Sequence, residues 1–244
     1  MEEKILKLQR IVDESRRIVF FGGAGVSTES GIKDFRSVDG LYNEVYDYPP
    51  EQILSADFFY YSPEEFYRFY YDKLLIEGVL PNNAHKKLAE LERAGKLSAI
   101  VTQNIDGLHQ LAGSQTVYEL HGSVERNYCL RCGKFYSGED ISEFKKEGVP
   151  VPTCSCGGMI KPDVVLYGEG LDDATVKGAI AAIMDADTLI VAGTSLTVYP
   201  ASGLISYFRG KHLVLINKTE TPADRSANLV IHGKVGEVLS KIKV

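Results

Sequence analysis

The chain has 244 residues, 44% of them hydrophobic and 25% charged, and a formal net charge of −6. This composition is typical of a globular protein with one sizeable core and a smaller module, and the lack of a basic patch argues against a nucleic-acid partner. No apolar run approaches the roughly 18 residues of a membrane span, and the N-terminus has no signal-peptide-like apolar stretch, so we expect no membrane partner and a soluble, cytoplasmic protein.

The elements that follow along the chain alternate between helices and buried strands. Ile5, Leu8 and Ile11 have helical spacing, which predicts an amphipathic helix over 3–15. Apolar runs predict strands at 18–21, 98–102, 163–167, 188–192 and 212–216, with helical stretches between several of them at 84–94, 172–184 and 201–208. The alternation predicts an α/β fold with a Rossmann-like parallel sheet and helices on both faces.

Two segments interrupt this alternation. Residues 41–80 are rich in Tyr, Phe and acidic residues, and Ser62 before Pro63, with Glu65 three residues on, is typical of a helix start. Residues 123–160 contain all four cysteines. We therefore predict that 1–40, 81–122 and 161–244 form the Rossmann-like domain. The helical insertion at 41–80 and the cysteine module at 123–160 would form a small domain.

The four cysteines form two close pairs, Cys129 with Cys132 and Cys154 with Cys156. In a reducing compartment this clustering indicates a metal before a disulfide. Four thiolates suit tetrahedral Zn²⁺, and because the protein fills all four positions the zinc would be structural. The C-x-C spacing of the second pair departs from the usual C-x-x-C. A redox dithiol is the alternative, disfavoured because neither pair lies at a helix start.

A glycine turn follows the first predicted strand and contains Gly23, Ala24 and Gly25, with Thr28 just beyond. Glycines let the backbone approach a phosphate, and a following helix N-terminus favours an anion. The turn lacks the third glycine of the dinucleotide fingerprint, so a simple tight turn remains an alternative. Further on, Phe35 could cover a reactive ring and Arg36 could hold a phosphate or order the loop.

Polar or small residues follow three predicted strands. Gln103, Asn104 and Asp106 come after the strand at 98–102, and Asn217 comes directly after the strand at 212–216. The strand at 188–192 is followed by Gly193, Thr194 and Ser195. The carboxyl ends of parallel strands are where open α/β sheets bind ligands. Each group is also explained by ordinary turn chemistry, but together they predict one ligand-binding edge.

At this point the chain resembles the sirtuins, the NAD-dependent protein deacylases, over nearly its whole length. The resemblance is carried by the ordered motifs Gly-Ala-Gly-Val-Ser at 23–27, Ser-Gly-Ile-Lys-Asp-Phe-Arg at 30–36, Thr-Gln-Asn-Ile-Asp-Gly-Leu-His at 102–109, His-Gly at 121–122, the four cysteines, Val-Val-Leu-Tyr-Gly-Glu at 164–169, Gly-Thr-Ser-Leu at 193–196 and Ile-Asn at 216–217.

The resemblance implies that the large domain binds NAD and that the small domain binds zinc. The residues implied to line the NAD site are Gly23, Ala24, Gly25, Thr28, Phe35 and Arg36 near the phosphates and nicotinamide ribose, Gln103, Asn104, Ile105, Asp106 and His121 around the nicotinamide and its ribose, and Gly193, Thr194, Ser195, Asn217 and Val235 at the adenosine half. An acetylated lysine peptide or protein would be the partner, its backbone adding a strand against Val165, Leu166, Tyr167 and Gly168.

The resemblance also implies a reaction. The acyl oxygen of the substrate attacks C1′ of the nicotinamide ribose and nicotinamide leaves, so that no enzyme nucleophile is needed. His121 would be the general base for a ribose hydroxyl, since imidazole titrates near working pH, and Asn104 would position a ribose hydroxyl and a water. The products would be deacetylated lysine, nicotinamide and O-acetyl-ADP-ribose. His109, in contrast, is expected to be structural.

The sequence departs from the sirtuin pattern at two positions. Lys33 stands where Pro is usual, which removes a restraint on the cofactor loop, and Lys161 stands where Arg is commoner. The insertion has Tyr70-x-x-Lys73 rather than the Tyr-x-x-Arg of sirtuins that remove acidic acyl groups, so we expect acetyl or longer neutral groups. Two alternatives to a deacetylase stay open, an ADP-ribosyltransferase and a non-catalytic NAD- or acyl-lysine-binding module.

Overall fold

The computed structural model describes residues 1–35, 40–41 and 46–244. Nine strands are numbered in chain order among these residues: β1 (Ile18–Gly22), β2 (Leu97–Thr102), β3 (Val117–Glu119), β4 (Gly122–Cys129), β5 (Phe135–Ser137), β6 (Ile160–Val164), β7 (Thr188–Ala192), β8 (His212–Asn217) and β9 (Leu229–His232).

The α-helices of the same part of the chain are α1 (Glu2–Glu14), α2 (Pro50–Ile53), α3 (Ala56–Tyr61), α4 (Pro63–Phe69), α5 (Asn83–Arg93), α6 (Leu108–Leu111), α7 (Gly138–Lys146), α8 (Asp173–Asp185) and α9 (Val235–Leu239). Short 3₁₀ segments cover Ala24–Val26, Thr28–Ser30, Ala201–Tyr207 and Asp224–Ser226, and a π turn covers Tyr70–Leu74. None of the helices in these described residues is long and apolar enough to cross a membrane.

The large sheet has six parallel strands in the order β3-β2-β1-β7-β8-β9. This is the strand order of the Rossmann fold, in which the chain reverses direction across the sheet between β1 and β7. Ligands bind in that crevice, beyond the carboxyl ends of the strands. The predicted α/β class and parallel sheet are therefore confirmed, and the predicted ligand edge lies at the topological switch point.

Two apolar layers cover the faces of the large sheet. On one face Leu8 and Ile11 of α1 pack with residues of α5 and α9. On the other face Ala179 and Ile183 of α8 pack with the 3₁₀ segment Ala201–Tyr207. All five residues of β1 are buried, as expected for a central parallel strand with a layer on each face.

The second sheet is small and antiparallel, in the order β5-β4-β6. Aromatic side chains of α3 and α4 pack in one cluster with residues of this sheet; Phe59, Phe66 and Tyr67 are completely buried there. The ring centroids of Phe59 and Phe66 lie 4.9 Å apart in an edge-to-face arrangement, which aromatic pairs prefer. The predicted helical insertion is confirmed for α2, α3 and α4.

One strand prediction is wrong. The sequence predicts a strand of the parallel sheet at 163–167, whereas β6 covers Ile160–Val164 and pairs antiparallel with β4. The reason lies in the burial pattern of β6, which alternates between buried and half-buried residues, as in a strand with one covered face. The apolar run on which the prediction was based extends past the end of β6 into an irregular segment.

Other differences are smaller. The predicted helix at 201–208 is a 3₁₀ segment, and the strands β3, β4, β5 and β9 were not predicted. The helices predicted at 3–15, 84–94 and 172–184 are present with ends shifted by one residue. The division of the chain into a large and a small domain stays a prediction.

Candidate active site

A hydrogen-bonded cluster lies just past the carboxyl end of β2. The hydroxyl of Ser27 donates to the Oδ2 atom of Asp106 at 2.6 Å and accepts from the Nδ2 atom of Asn104 at 3.0 Å. The other oxygen of Asp106 accepts from the backbone N–H of Leu108 at the start of α6, at 3.0 Å. Asn104 and Asp106, both predicted from sequence, are therefore brought together through Ser27, which the sequence analysis did not single out.

Two histidines extend this cluster into the core. The Nε2 atom of His85 lies 3.5 Å from the Ser27 hydroxyl, and the rings of His85 and His109 meet edge to face at 4.8 Å. Burial lowers the pKa of His85 to about 4, against a smaller opposing effect of Asp106. Burial also lowers the pKa of His109, whose ring is 1% exposed and contacts Phe20, in agreement with the structural role expected for it.

His121 precedes β4 and faces the same edge of the sheet. Its Nδ1 atom lies 3.0 Å from the backbone carbonyl of Gln103. Because a carbonyl only accepts, Nδ1 carries the proton of the neutral ring, which leaves Nε2 as the basic nitrogen. Burial lowers the pKa of His121, and the bond to Gln103 opposes this effect in part. The neutral ring is the form that can accept a proton.

The ends of β2, β7 and β8 are joined by side-chain hydrogen bonds. The amide of Gln103 donates to the hydroxyl of Thr194 at 3.2 Å, and the backbone N–H of Thr194 donates to Oδ1 of Asn217 at 3.0 Å. The Nδ2 atom of Asn217 is buried and has no partner among the described residues. A buried amide donor of this kind fits a hydroxyl or phosphate oxygen of a ligand. Ser195 bonds to the hydroxyl of Thr197 at 2.7 Å.

The glycine turns after β1 and β7 pack directly against each other. The N–H of Gly25 donates to the carbonyl of Gly193 at 2.8 Å. A Cβ atom on Gly25 would lie 2.8 Å from the Cα of Gly193, closer than real side chains approach. At Gly193 the backbone φ is +60°, a region that favours glycine. These contacts leave a backbone-lined edge at the switch point, which is the surface that a dinucleotide pyrophosphate needs.

The remaining predicted NAD residues lie around these turns. Gly23 and Ala24 lead into the 3₁₀ segment Ala24–Val26, and the Thr28 hydroxyl donates to the Gly25 carbonyl at 3.1 Å. Val235 begins α9. The Gly236 N–H of this helix donates to the Glu29 carboxylate, which connects α9 to the segment Thr28–Ser30.

Phe35 and Ile105 pack against the aromatic cluster of the small sheet. Arg36 lies outside the described residues.

The segment predicted to bind a peptide runs over Val165, Leu166, Tyr167 and Gly168, directly after β6. The N–H of Val165 donates to the His121 carbonyl at 2.9 Å, and the N–H of Tyr167 donates to the Leu54 carbonyl at 2.9 Å. The Tyr167 side chain is exposed. The segment therefore connects the residue that carries the candidate base to the helices of the insertion.

The four cysteines converge at one point of the small sheet. The Sγ atoms of Cys129 and Cys156 lie 3.5 Å apart, those of Cys132 and Cys154 lie 3.7 Å apart, and all four are within 4.8 Å of one another. These separations are too long for disulfides. Four sulfurs placed tetrahedrally at about 2.3 Å from Zn²⁺ would be roughly 3.8 Å apart, so the donor set and its spacing fit zinc, as predicted.

Comparison with known proteins gives consistent matches. The family model described as the Sir2 family matches residues 23–200. A protein of Clostridium perfringens (strain 13 / Type A) named NAD-dependent protein deacetylase is 60% identical, with 99% of each chain covered. A protein of the same name from Clostridium acetobutylicum is 56% identical, with 98% of each chain covered.

Solved structures also match over nearly the whole chain. One described as a Sir2–p53 peptide–NAD⁺ complex has a TM-score of 0.84 at 43% identity and covers 96% of this chain and 94% of the other. Another, described as Sir2 bound to acetylated peptide, has a TM-score of 0.84 at 41% identity and covers 96% of this chain and 95% of the other.

Proposed function

Because this chain belongs to the Sir2 family and is an NAD-dependent protein deacetylase, we propose that Asn104 and His121 are its catalytic residues. The observation that carries the proposal is the bond between His121 Nδ1 and the Gln103 carbonyl. This bond directs a neutral, half-buried imidazole to the edge of the sheet where Ser27 holds Asn104. The proposed site therefore contains a base, His121, and an amide oxygen, that of Asn104, and the reaction needs no nucleophile from the enzyme.

The proposed role of His121 is to accept a proton from a ribose hydroxyl. Since its pKa lies below the usual value of a histidine, the ring is neutral at pH 7 and its Nε2 atom is ready to act as a base. Asn104 is 8% exposed and donates through Nδ2 to Ser27, and its Oδ1 atom would accept from a ribose hydroxyl or a water. When bound, NAD supplies the ribose carbon that takes up the acetyl oxygen.

The residues of the sheet edge fit NAD chemically. Asp106 would accept from the nicotinamide carboxamide, with Gln103 and Ile105 beside it. The buried, unpartnered Nδ2 of Asn217 would donate to the adenosine half, where Val235 would also make contact. The other proposed contacts are backbone and side-chain groups of Gly23, Ala24, Gly25, Thr28, Phe35, Gly193, Thr194 and Ser195; Arg36 completes the predicted set.

The proposed substrates are acetylated lysine peptides or proteins, with acetyl or longer neutral acyl groups. Lys73, the cation that would have to hold an acidic acyl group, pairs with Asp72 at 3.1 Å and lies 5.6 Å from the ring centroid of Tyr46. Tyr70 is completely buried in the aromatic cluster. A cytoplasmic location is part of the proposal, because four thiols spaced for zinc suit a reducing compartment.

The test is deacetylation of an acetyl-lysine peptide followed by mass spectrometry, with and without NAD. We expect loss of acetyl that needs NAD and yields equimolar nicotinamide and O-acetyl-ADP-ribose. Removal of the general base in His121→Ala should lower the rate by about 10²–10⁴-fold. The matched control is His212→Ala, because His212 begins β8, at the edge of the sheet opposite the ligand edge, and should leave the rate unchanged.

Two results would contradict the proposal and separate its alternatives. ADP-ribose attached to the peptide or to the protein itself, with the acetyl group retained, would indicate an ADP-ribosyltransferase. Binding of NAD and peptide without release of nicotinamide would indicate a non-catalytic module. A His121→Ala variant with full activity would refute the role of His121 as the base.

A further inference from the structure

A partly buried ion pair lies beneath the peptide segment. The Nζ atom of Lys161 is 3.1 Å from Oε2 of Glu169, and the two side chains are 14% and 27% exposed. Lys161 belongs to β6, and Glu169 follows the segment 165–168. The ion pair therefore links the two ends of the stretch 161–169. Ion pairs this far removed from solvent are screened much less than surface pairs.

Glu169 holds the middle of the segment directly. Its Oε2 atom accepts from the N–H of Leu166 at 2.8 Å, and its own N–H donates to the Leu166 carbonyl at 2.9 Å. Lys161 holds the start of the segment, because its Nζ atom also donates to the Val164 carbonyl at 3.0 Å. The ammonium lies 5.9 Å from the ring centroid of Phe59, a distance at which a cation is attracted to an aromatic face.

With the bond to Glu169, the backbone N–H groups of three consecutive residues, 165–167, all have hydrogen-bond acceptors. The N–H groups of Val165 and Tyr167 donate to backbone carbonyls, and Glu169 takes the N–H between them. No backbone N–H of the described residues donates to the Val165 carbonyl. The segment thus has its shape set before a peptide arrives. It offers an approaching strand an acceptor rather than a row of donors.

We propose that Lys161 and Glu169 are positioning residues for the peptide substrate, which preset the segment 165–168 for strand pairing. The inference rests on the proposed function, because it assigns this segment to the acetylated peptide. Pre-ordering a binding segment reduces the entropy lost when the ligand binds. Loss of the pair should therefore weaken peptide binding while leaving the NAD edge of the large sheet unchanged.

The variants separate the two interactions of the carboxylate. Glu169→Ala removes both the ion pair and the acceptor for Leu166, and Lys161→Met removes the cation. Each should raise the KM for an acetyl-lysine peptide about tenfold, which corresponds to loss of one charge-assisted hydrogen bond. Glu169→Gln keeps an acceptor oxygen and Lys161→Arg keeps the charge, so both should have smaller effects. The KM for NAD and kcat should stay within about twofold.

The control is Glu14→Gln, since Glu14 forms an exposed ion pair with Lys211 at 2.9 Å and should change neither KM. The double variant Lys161→Met with Glu169→Ala distinguishes positioning from general stability. It leaves no unpaired partly buried charge, so its melting temperature should recover relative to Lys161→Met. Its peptide affinity should stay low.

Peptide affinity is measured by fluorescence anisotropy with a labelled acetyl-lysine peptide, which needs no turnover. Failure of the wild type to remove acetyl would therefore count against the proposed function, while weaker peptide binding by the variants would still support the positioning role. Recovery of peptide affinity together with the melting temperature in the double variant would overturn the inference. An equal rise in the KM for NAD would overturn it as well.

Discussion

The hydroxyl of Ser27 should control how well Asn104 and Asp106 are positioned at the proposed active site. In Ser27→Ala the Asp106 carboxylate loses a donor at 2.6 Å and the Asn104 amide loses an acceptor at 3.0 Å. Ser27 is 1% exposed, so water does not readily replace the lost group. A hydrogen bond to a charged group contributes about 1.5–3 kcal/mol and a neutral one about 0.5–1.5 kcal/mol. Together these give about 2–4.5 kcal/mol.

If that loss falls on the NAD-bound state, kcat/KM for NAD should fall by roughly 30- to 1,600-fold, because each 1.4 kcal/mol is a factor of ten. The assay is release of nicotinamide at saturating acetylated peptide with NAD varied. Ser206→Ala is the matched control, since its exposed hydroxyl bonds only to the nearby Gly203 carbonyl and should leave the rate unchanged. A change below threefold in Ser27→Ala would refute the organising role of this hydroxyl.

Two other outcomes follow from the cysteine cluster and from the buried histidine of α5. Cys132→Ser should abolish stoichiometric zinc binding, measured by atomic absorption. If the loss of zinc lowers the free energy of unfolding by about 3 kcal/mol, the melting temperature should fall by about 6–12 °C. Full zinc content and an unchanged melting temperature would contradict the assignment of the four cysteines to zinc. Because the pKa of His85 is lowered to about 4 in the folded protein from about 6.5 unfolded, the unfolded state binds the extra proton between these values. His85 should therefore contribute about 3 kcal/mol to the fall in the free energy of unfolding as the pH drops from 6.5 to 4. This contribution is the difference between the wild type and His85→Asn in urea denaturation, because His109, whose pKa burial also lowers, adds to the fall in both. The same slope in His85→Asn as in the wild type would show that His85 is not responsible.

Much of the ligand edge could be predicted because it depends on local order along the chain. A buried apolar run followed by polar or small residues identifies the carboxyl end of a parallel strand, and all such ends meet on one edge of the sheet. Gln103, Thr194 and Asn217 were identified in this way, and the structure joins them by hydrogen bonds. The metal site formed by the four cysteines could be predicted equally well, since thiol chemistry and spacing alone indicate a metal.

The partners of these residues could not be predicted in the same way. Ser27 and Asn104 are 77 positions apart in the sequence, and His85 approaches Ser27 from a third element. Nothing in the local pattern around Ser27 distinguishes it from a turn residue. Its role depends on which strands are neighbours, and that order is set by how the helices cover both faces of the sheet.

The sequence by itself determined the α/β class and predicted the ligand edge and a cysteine cluster that fits zinc, because periodicity, strand ends and thiol chemistry are local properties. Tertiary structure alone decided the membership of Ile160–Val164 in the small sheet, the cluster around Ser27, and the ion pair beneath the peptide segment. An apolar run is compatible with a strand in either sheet, and only the side chains that pack against it determine which sheet it joins. Contacts between distant residues likewise form only once the strand order has brought them together.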